Sequence, residues 1–183
     1  GVLPAVKEVN LKEGELVMTV GLPQGSGATG AAFLNDSIVL VTNPDLNSVT
    51  PINVLAGTRG SNIAVRRFPQ AIVVEGGRAF VLNAELEGFA PDGPATVSVI
   101  DIESLTVTST IQLSGENAAA GGVGTDGRLY IVNSGSFGGA NGSLSVVDLT
   151  GLTEVQHHPG FGDGPGSLAL GPSARAFIGA VSY

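Results

Sequence analysis

Three hexapeptides along the chain share one pattern: Arg78-Ala-Phe-Val-Leu-Asn83, Arg128-Leu-Tyr-Ile-Val-Asn133 and Arg175-Ala-Phe-Ile-Gly-Ala180. A looser copy is Ile38-Val-Leu-Val-Thr-Asn43, and the four last positions (43, 83, 133, 180) lie 40, 50 and 47 residues apart. A second marker follows each of the earlier copies. It reads Val97-Ser-Val-Ile-Asp101 and Leu144-Ser-Val-Val-Asp148, with weaker forms Val6-Lys-Glu-Val-Asn10 and Val49-Thr-Pro-Ile-Asn53. Its polar ends (10, 53, 101, 148) are spaced 43, 48 and 47. Two independent markers keeping one period of about 46 residues define a structural repeat, and that length matches a four-stranded propeller blade.

Each unit reads as four short strands, a to d. In the unit at 69–115 they are Gln70–Glu75, Arg78–Asn83, Thr96–Ile102 and Thr106–Leu113. Thr106-Val-Thr-Ser-Thr-Ile-Gln-Leu alternates with period two and is rich in β-branched residues, as a half-buried strand requires. Glu75-Gly-Gly, Thr125-Asp-Gly and Gly171-Pro-Ser supply the a–b turns; Glu103-Ser and Thr150-Gly supply c–d turns. For Val6–Val20 the rival is a helix, since Lys7, Glu8, Lys12 and Glu13 are good helix formers. Gly14, Val17, Thr19 and Val20 oppose it, and alignment with the c–d hairpin decides for strands. The expected fold is all-β: half-blade 1–24, blades 25–68, 69–115 and 116–161, and half-blade 162–183. Two arrangements fit: a four-bladed ring closed by the paired terminal halves, or an arc of a larger propeller, completed by further chain or by a second polypeptide. A bare arc would present unpaired strand edges, which natural proteins avoid.

Composition narrows the function. The 183 residues carry 8 Lys or Arg and 16 Asp or Glu, a net charge of −8, and only 13% of residues are charged. A hydrophobic share of 43% is incompatible with disorder. So acidic a chain is a poor binder of nucleic acid, and no apolar run approaches the ~18 residues of a membrane span. The absence of cysteine removes disulfides, thiolate metal sites and thiol nucleophiles. Abundant Gly, Asn, Ser and Thr with few Lys suit a secreted, periplasmic or cell-surface protein. Gly1-Val-Leu-Pro-Ala shows no intact signal peptide.

The repeat resembles the YVTN-type, YncE-like β-propeller family. The residues carrying the likeness are Asp126-Gly-Arg-Leu-Tyr-Ile-Val-Asn133 with Leu144-Ser-Val-Val-Asp-Leu149, and Phe80-Val-Leu-Asn83 with Val97-Ser-Val-Ile-Asp-Ile102. Pro69-Gln-Ala and Pro165-Gly-Ser fit the unit's opening, and Asn133–Ser143 is similar to the long b–c loops of exported members. The likeness spans nearly the whole chain and implies the fold, since the motif residues are structural. The first unit departs from it: Pro51 falls in strand c and Asn53 stands where Asp is usual, implying an edge or bulged strand.

The recurring residues are read physically. Asn10, Asn53, Asp101 and Asp148 are placed to accept hydrogen bonds from the turn into strand d. Asn83 and Asn133, ending strand b, are likewise structural. Phe80, Tyr130 and Phe177 occupy one strand position and are expected to pack between blades.

Strand alternation puts the b–c and d–a connections on one face. There the long loops Ala84–Ala95 and Ser134–Gly142 join Gly21–Gly27, Ser114–Asn117 and Pro159–Gly166, and long loops on a rigid scaffold are where binding resides. The candidate ligand- or partner-binding residues are Glu85, Glu87, Phe89, Asp92, Phe137, Asn141, Phe161 and Asp163. Glu85, Glu87, Asp92 and Asp163 are hard oxygen donors of the kind Ca²⁺ takes, though without EF-hand spacing. His157 and His158 point to opposite strand faces and do not share a metal easily. One of Arg66 and Arg67 is expected to pair with an acid or snorkel. Gly121-Gly-Val-Gly and Gly160-Phe-Gly-Asp-Gly-Pro-Gly lack the phosphate-loop pattern, Ser26 and Ser167 are turn serines, and neither GxSxG nor HExxH occurs. No catalytic residue and no cofactor is expected. The favoured function is a non-catalytic binding scaffold for a protein or cell-surface component. The alternative, a lactonase-like hydrolase with a metal near the axis, needs acids and histidine at the starts of strand a, which read Ala28-Thr, Gln70-Ala, Ala118-Ala and Gly166-Ser.

Overall fold

A computed structural model describes residues 4–172 and 174–180. The residues after Ala180 expected in the last strand, and Ser173 of the Gly171-Pro-Ser turn, lie outside the described residues. The chain opens with an antiparallel pair, β1 (Ala5–Asn10) and β2 (Glu15–Gly21). The first whole sheet follows, with β3 (Ala31–Phe33), β4 (Ile38–Asn43), β5 (Ser48–Asn53) and an outer strand in two pieces, β6 (Thr58–Arg59) and β7 (Ile63–Ala64). The second runs β8 (Pro69–Glu75), β9 (Arg78–Asn83), then, after a small hairpin of β10 (Leu86–Glu87) and β11 (Ala90–Pro91), β12 (Thr96–Asp101) and β13 (Thr106–Gln112). The third is β14 (Ala118–Val123), β15 (Leu129–Asn133), β16 (Ser143–Asp148) and β17 (Thr153–Pro159). A last pair, β18 (Pro165–Gly171) and β19 (Arg175–Ala180), closes the described chain. Each sheet is an up-and-down antiparallel meander. Among the described residues no helix is long and apolar enough to cross a membrane.

The core lies between sheets, where the inner strands of each whole meander are covered on both faces. One cluster joins Phe80, Leu82, Val97 and Val99 of the second sheet to Leu129, Ile131 and Val147 of the third. Another joins Leu40 and Val49 of the first to Ile72, Ala79, Val81 and Ile100 of the second. A third seats Val20 and Leu22 against Val39, Val41 and Ile52. Alternate residues of strand b therefore face the preceding and the following sheet, which is why β4, β9 and β15 are near-continuous apolar runs.

The shared aromatic position shows what the neighbouring sheet contributes. Phe80, followed by a full sheet, is 0% exposed; Tyr130, followed only by β18 and β19, is half-buried; Phe177 is 70% exposed. The expectation that all three pack between blades thus holds for Phe80 and is corrected for Phe177, whose outward face meets no sheet among the described residues. Phe33 on β3 is exposed at the opposite end. Among the described residues the pairing that a four-bladed ring would need is not seen. β1–β2 and β18–β19 are separate two-stranded sheets, so the terminal halves do not pair into a closing blade among the described residues.

The turn residues act as the sequence implies. Asn10 Oδ1 accepts from Lys12 N (3.0 Å), Asn53 Oδ1 from Ala56 N (2.8 Å), Asp101 Oδ1 from Ser104 N (2.8 Å) and Asp148 Oδ2 from Gly151 N (2.6 Å). Beyond each turn the c–d ladder slips by one residue: between Glu8 and Val9, Val99 and Ile100, and Val146 and Val147. This recurring bulge adds twist to the outer strand. Pro51 sits at the matching place in the first sheet. A residue's N–H and C=O leave a strand on the same side, and Gly60 N donates to Pro51 O (2.8 Å), so the missing N–H faces the outer strand. There Gly60–Asn62 bow away and split β6 from β7, while β5 keeps its full ladder with β4.

Candidate functional site

The loop-bearing face is anchored by a buried polar contact repeated at the ends of β4, β9 and β15. Asn43 Nδ2 donates to Thr50 Oγ1 (2.8 Å) and Ser48 Oγ (3.3 Å). Asn83 Nδ2 donates to Thr96 (3.1 Å) and Ser98 (3.0 Å), and Asn133 Nδ2 to Ser143 (3.1 Å) and Ser145 (2.8 Å). Each amide fastens the start of the b–c loop to its end across two hydroxyls. The hydroxyl pairs were legible as the alternation Ser48-Val-Thr50, Thr96-Val-Ser98 and Ser143-Leu-Ser145, a signal the sequence reading did not use.

The acids of the 84–95 loop are held by arginines. Glu85 is buried with a left-handed backbone (φ 53°). Its Oε1 accepts from Arg66 Nε (3.0 Å) and Thr96 Oγ1 (2.6 Å), and Oε2 lies 3.6 Å from Arg67 Nε. Arg67 also contacts exposed Glu87 at 3.7 Å and bonds the Asp92 carboxylate. That bond, reinforced by the charges of Glu85 and Glu87, holds the Arg67 pKa above its ordinary value. Three of the four acids read as oxygen donors for Ca²⁺, Glu85, Glu87 and Asp92, therefore face guanidinium groups, and both arginines pair where one was expected. Clamped at its base, the loop carries Phe89 at the β10–β11 tip, 96% exposed.

The 134–142 loop folds over its own hydrogen bonds. Asn141 Oδ1 accepts from Ser136 N (2.8 Å), and Asn141 Nδ2 and Ser136 Oγ both donate to Glu116 Oε2 (3.1 Å each). Gly135 (φ 71°) permits the fold, because a Cβ there would collide with Asn141 Oδ1. Asp163 Oδ1 accepts from Ala140 N (2.7 Å), and Phe161 N donates to Gly142 O (3.0 Å), tying the 159–166 loop alongside. Phe137 projects from this loop, 86% exposed.

Between the two long loops lies an open cavity of about 280 Å³, lined by Phe89, Phe137, Asp163, Asn117, Ser134, Ser136 and three glycines. Of the eight candidate residues it gathers Phe89, Phe137 and Asp163. Asn141 and Phe161 shape the loops behind it, and Glu85, Glu87 and Asp92 belong to the arginine clamp. Asn117, Ser134, Ser136 and Glu116 were not singled out from sequence; only their neighbourhood of the long loops pointed to them. A larger cleft, about 520 Å³, opens beside the split outer strand of the first sheet, away from these loops, lined by Pro51, Arg59, Ser104 and Leu105 among others.

His157 and His158 diverge as neighbours on a strand do. His157 Nδ1 is 3.8 Å from Glu154 Oε1, and His158 Nε2 is 3.4 Å from Gln156 Oε1. Among the described residues no three His, Asp or Glu side chains group as a metal site.

The fold is that of β-propeller blades, and solved structures agree. The chain is similar to hydrazine synthase from Kuenenia stuttgartiensis (TM-score 0.75, 19% identity, 90% of this chain and 45% of that one). It is also similar to a Bacteroides uniformis protein named as a candidate 6-phosphogluconolactonase (0.71, 15%, 96% and 57%). A third is dihydro-haem d1 dehydrogenase NirN (0.57, 15%, 84% and 32%). The chain spans from about a third to somewhat over half the length of these structures. At such identities the likeness establishes the fold alone. No protein-family model matches the sequence, and no curated protein does.

Proposed function

We propose that the chain is a non-catalytic binding scaffold, an exported propeller of the YVTN, YncE-like type, that engages a protein or cell-surface component through the face carrying loops 84–95, 134–142 and 159–166. The observation that carries this reading is the pair Phe89 and Phe137. Two large aromatic side chains stand almost fully in solvent on separate, internally fastened loops around one cavity. Exposed aromatics on a rigid frame lose little conformational entropy on binding, which makes them effective anchors. The bare faces at Phe33 and Phe177 support membership of a larger assembly, in which further blades, supplied by more chain or by another polypeptide, cover them. Export rests on composition. The hydrolase alternative draws only a fold-level likeness from the lactonase-named neighbour, while the starts of strand a carry no ionisable residue. Ca²⁺ at Glu85, Glu87 and Asp92 would have to displace Arg67.

The test is capture by the immobilised chain, comparing the native sequence with Phe89→Ala/Phe137→Ala. Captured partner should fall while the thermal melt stays in place, since neither ring contributes to the core. Undiminished capture rejects this face.

A further inference from the structure

The cavity between Phe89 and Phe137 has a chemical polarity that names its occupant. Among the described residues its one ionisable lining side chain is Asp163, and no Lys or Arg lines it. Asp163 uses Oδ1 for Ala140 N, and Oδ2 has no hydrogen-bond partner among the described residues. The other lining side chains already donate inside the protein. Ser134 Oγ donates to Pro165 O (2.7 Å), Ser136 Oγ to Glu116 Oε2 (3.1 Å) and Asn117 Nδ2 to Gly135 O (3.2 Å). The two serines still offer a visitor lone pairs, while Asn117, whose Oδ1 accepts from Gln70 Nε2 (3.0 Å), keeps one N–H. The faces of Phe89 and Phe137 add negative π-density, and the whole chain carries −8. The carboxylate, the ring faces and the overall charge disfavour phosphates and carboxylates and favour a positively charged ligand that donates hydrogen bonds.

We propose that this cavity receives an organic cation, the guanidinium or ammonium head of a basic side chain presented by a protein partner. The inference rests on the binding-face reading above and adds the chemistry of the partner. A planar guanidinium satisfies the site's three features together: it stacks on aromatic faces, donates along its edge, and pairs with a carboxylate. The open volume of about 280 Å³ admits such a head and its first methylenes. Loops 84–95 and 134–142 are fastened before the ligand arrives, so the aromatic walls need little ordering on binding.

The probe is the peptide acetyl-Gly-Arg-Gly-amide, titrated against the purified chain by calorimetry or NMR, beside its citrulline analogue and methyl glucoside. Citrulline keeps the shape and most donors and removes the charge. The arginine peptide should bind, weaken as salt is raised, and lose about two- to fivefold for each of Phe89→Ala and Phe137→Ala. Asp163→Asn keeps an Oδ1 acceptor for Ala140 N, so the loop stays formed while the charge goes. It should cost about two- to fivefold as well. The citrulline peptide should bind at least tenfold more weakly. Equal binding of the two peptides, or indifference to Asp163→Asn, overturns the cation assignment. Ring-dependent partner capture would then still leave the face itself in place. Preferential binding of methyl glucoside overturns it in favour of a sugar, and no binding of any probe overturns it outright.

Discussion

Removing the same side chain from the same register position of two blades separates packing between sheets from the strand pattern itself. Phe80 is wholly buried between the second and third sheets, so Phe80→Ala forfeits its transfer free energy and leaves a cavity, a cost of about 3–5 kcal/mol. Phe177 follows the same Arg-Ala dipeptide yet is 70% exposed. With less than a third of its surface covered, Phe177→Ala should cost about 0.5–1 kcal/mol, from the roughly 1.5–3 kcal/mol of full burial. For a chain of this size each kcal/mol moves the melting temperature by about 2–4 °C. The expected losses are then roughly 6–20 °C for Phe80→Ala and about 1–4 °C for Phe177→Ala. The chain has no Trp, so melts are best followed by far-ultraviolet circular dichroism at low protein concentration, where an intermolecular cover on β19 would not form. Equal losses would refute the reasoning, because they would mean that the position matters for the strand and not for the neighbour.

Other outcomes follow from single contacts. Asn133→Ala strands two buried hydroxyls, Ser143 and Ser145, and should cost about 1–3 kcal/mol in urea unfolding; a change below 0.5 kcal/mol would mean the repeated Asn is ornamental. Arg67→Ala releases Glu87 and Asp92, so cleavage after Glu87 by a glutamate-specific protease should accelerate, with the sheets left intact. Acid should weaken the fold through Asp101 and Asp126. Bonds from Ser104 lower the Asp101 pKa below 3.8, and the Tyr130 hydroxyl does so for Asp126. A carboxylate with a depressed folded pKa contributes stability above its unfolded pKa and loses it as pH falls through the folded one. Stability should therefore be flat in this respect above about pH 5 and decline below about 4, and Asp101→Asn should flatten that decline; an unchanged acid limb would contradict the assignment.

The repeat was legible because its markers are local. Asp101 and Asp148 shape the turn immediately after them, and β9 carries its apolar run within six residues. The four Asx turns and the boundaries of β9 follow directly. What escaped depends on partners distant in sequence. Nothing in Arg175-Ala-Phe-Ile distinguishes it from Arg78-Ala-Phe-Val; only the presence of a following sheet decides whether the ring is covered. Pro51 signalled an irregular third strand, yet the strain appears in the fourth, because the missing N–H points outward. At the site, Phe89, Phe137 and Asp163 were found from loop length and face. Glu85 is named among the loop's candidate oxygen donors, although its carboxylate meets Arg66 and Thr96, residues 19 and 11 positions away.

Amide hydrogen exchange resolved to single strands tests most directly whether sheets succeed one another and protect each other by contact. β9 and β12, enclosed by whole sheets on both sides, should exchange slowest, β15 and β16 faster, and β1 and β19 fastest, although all are hydrogen-bonded strands of the same repeat. Uniform protection across the chain, or β19 outlasting β9, would contradict the account.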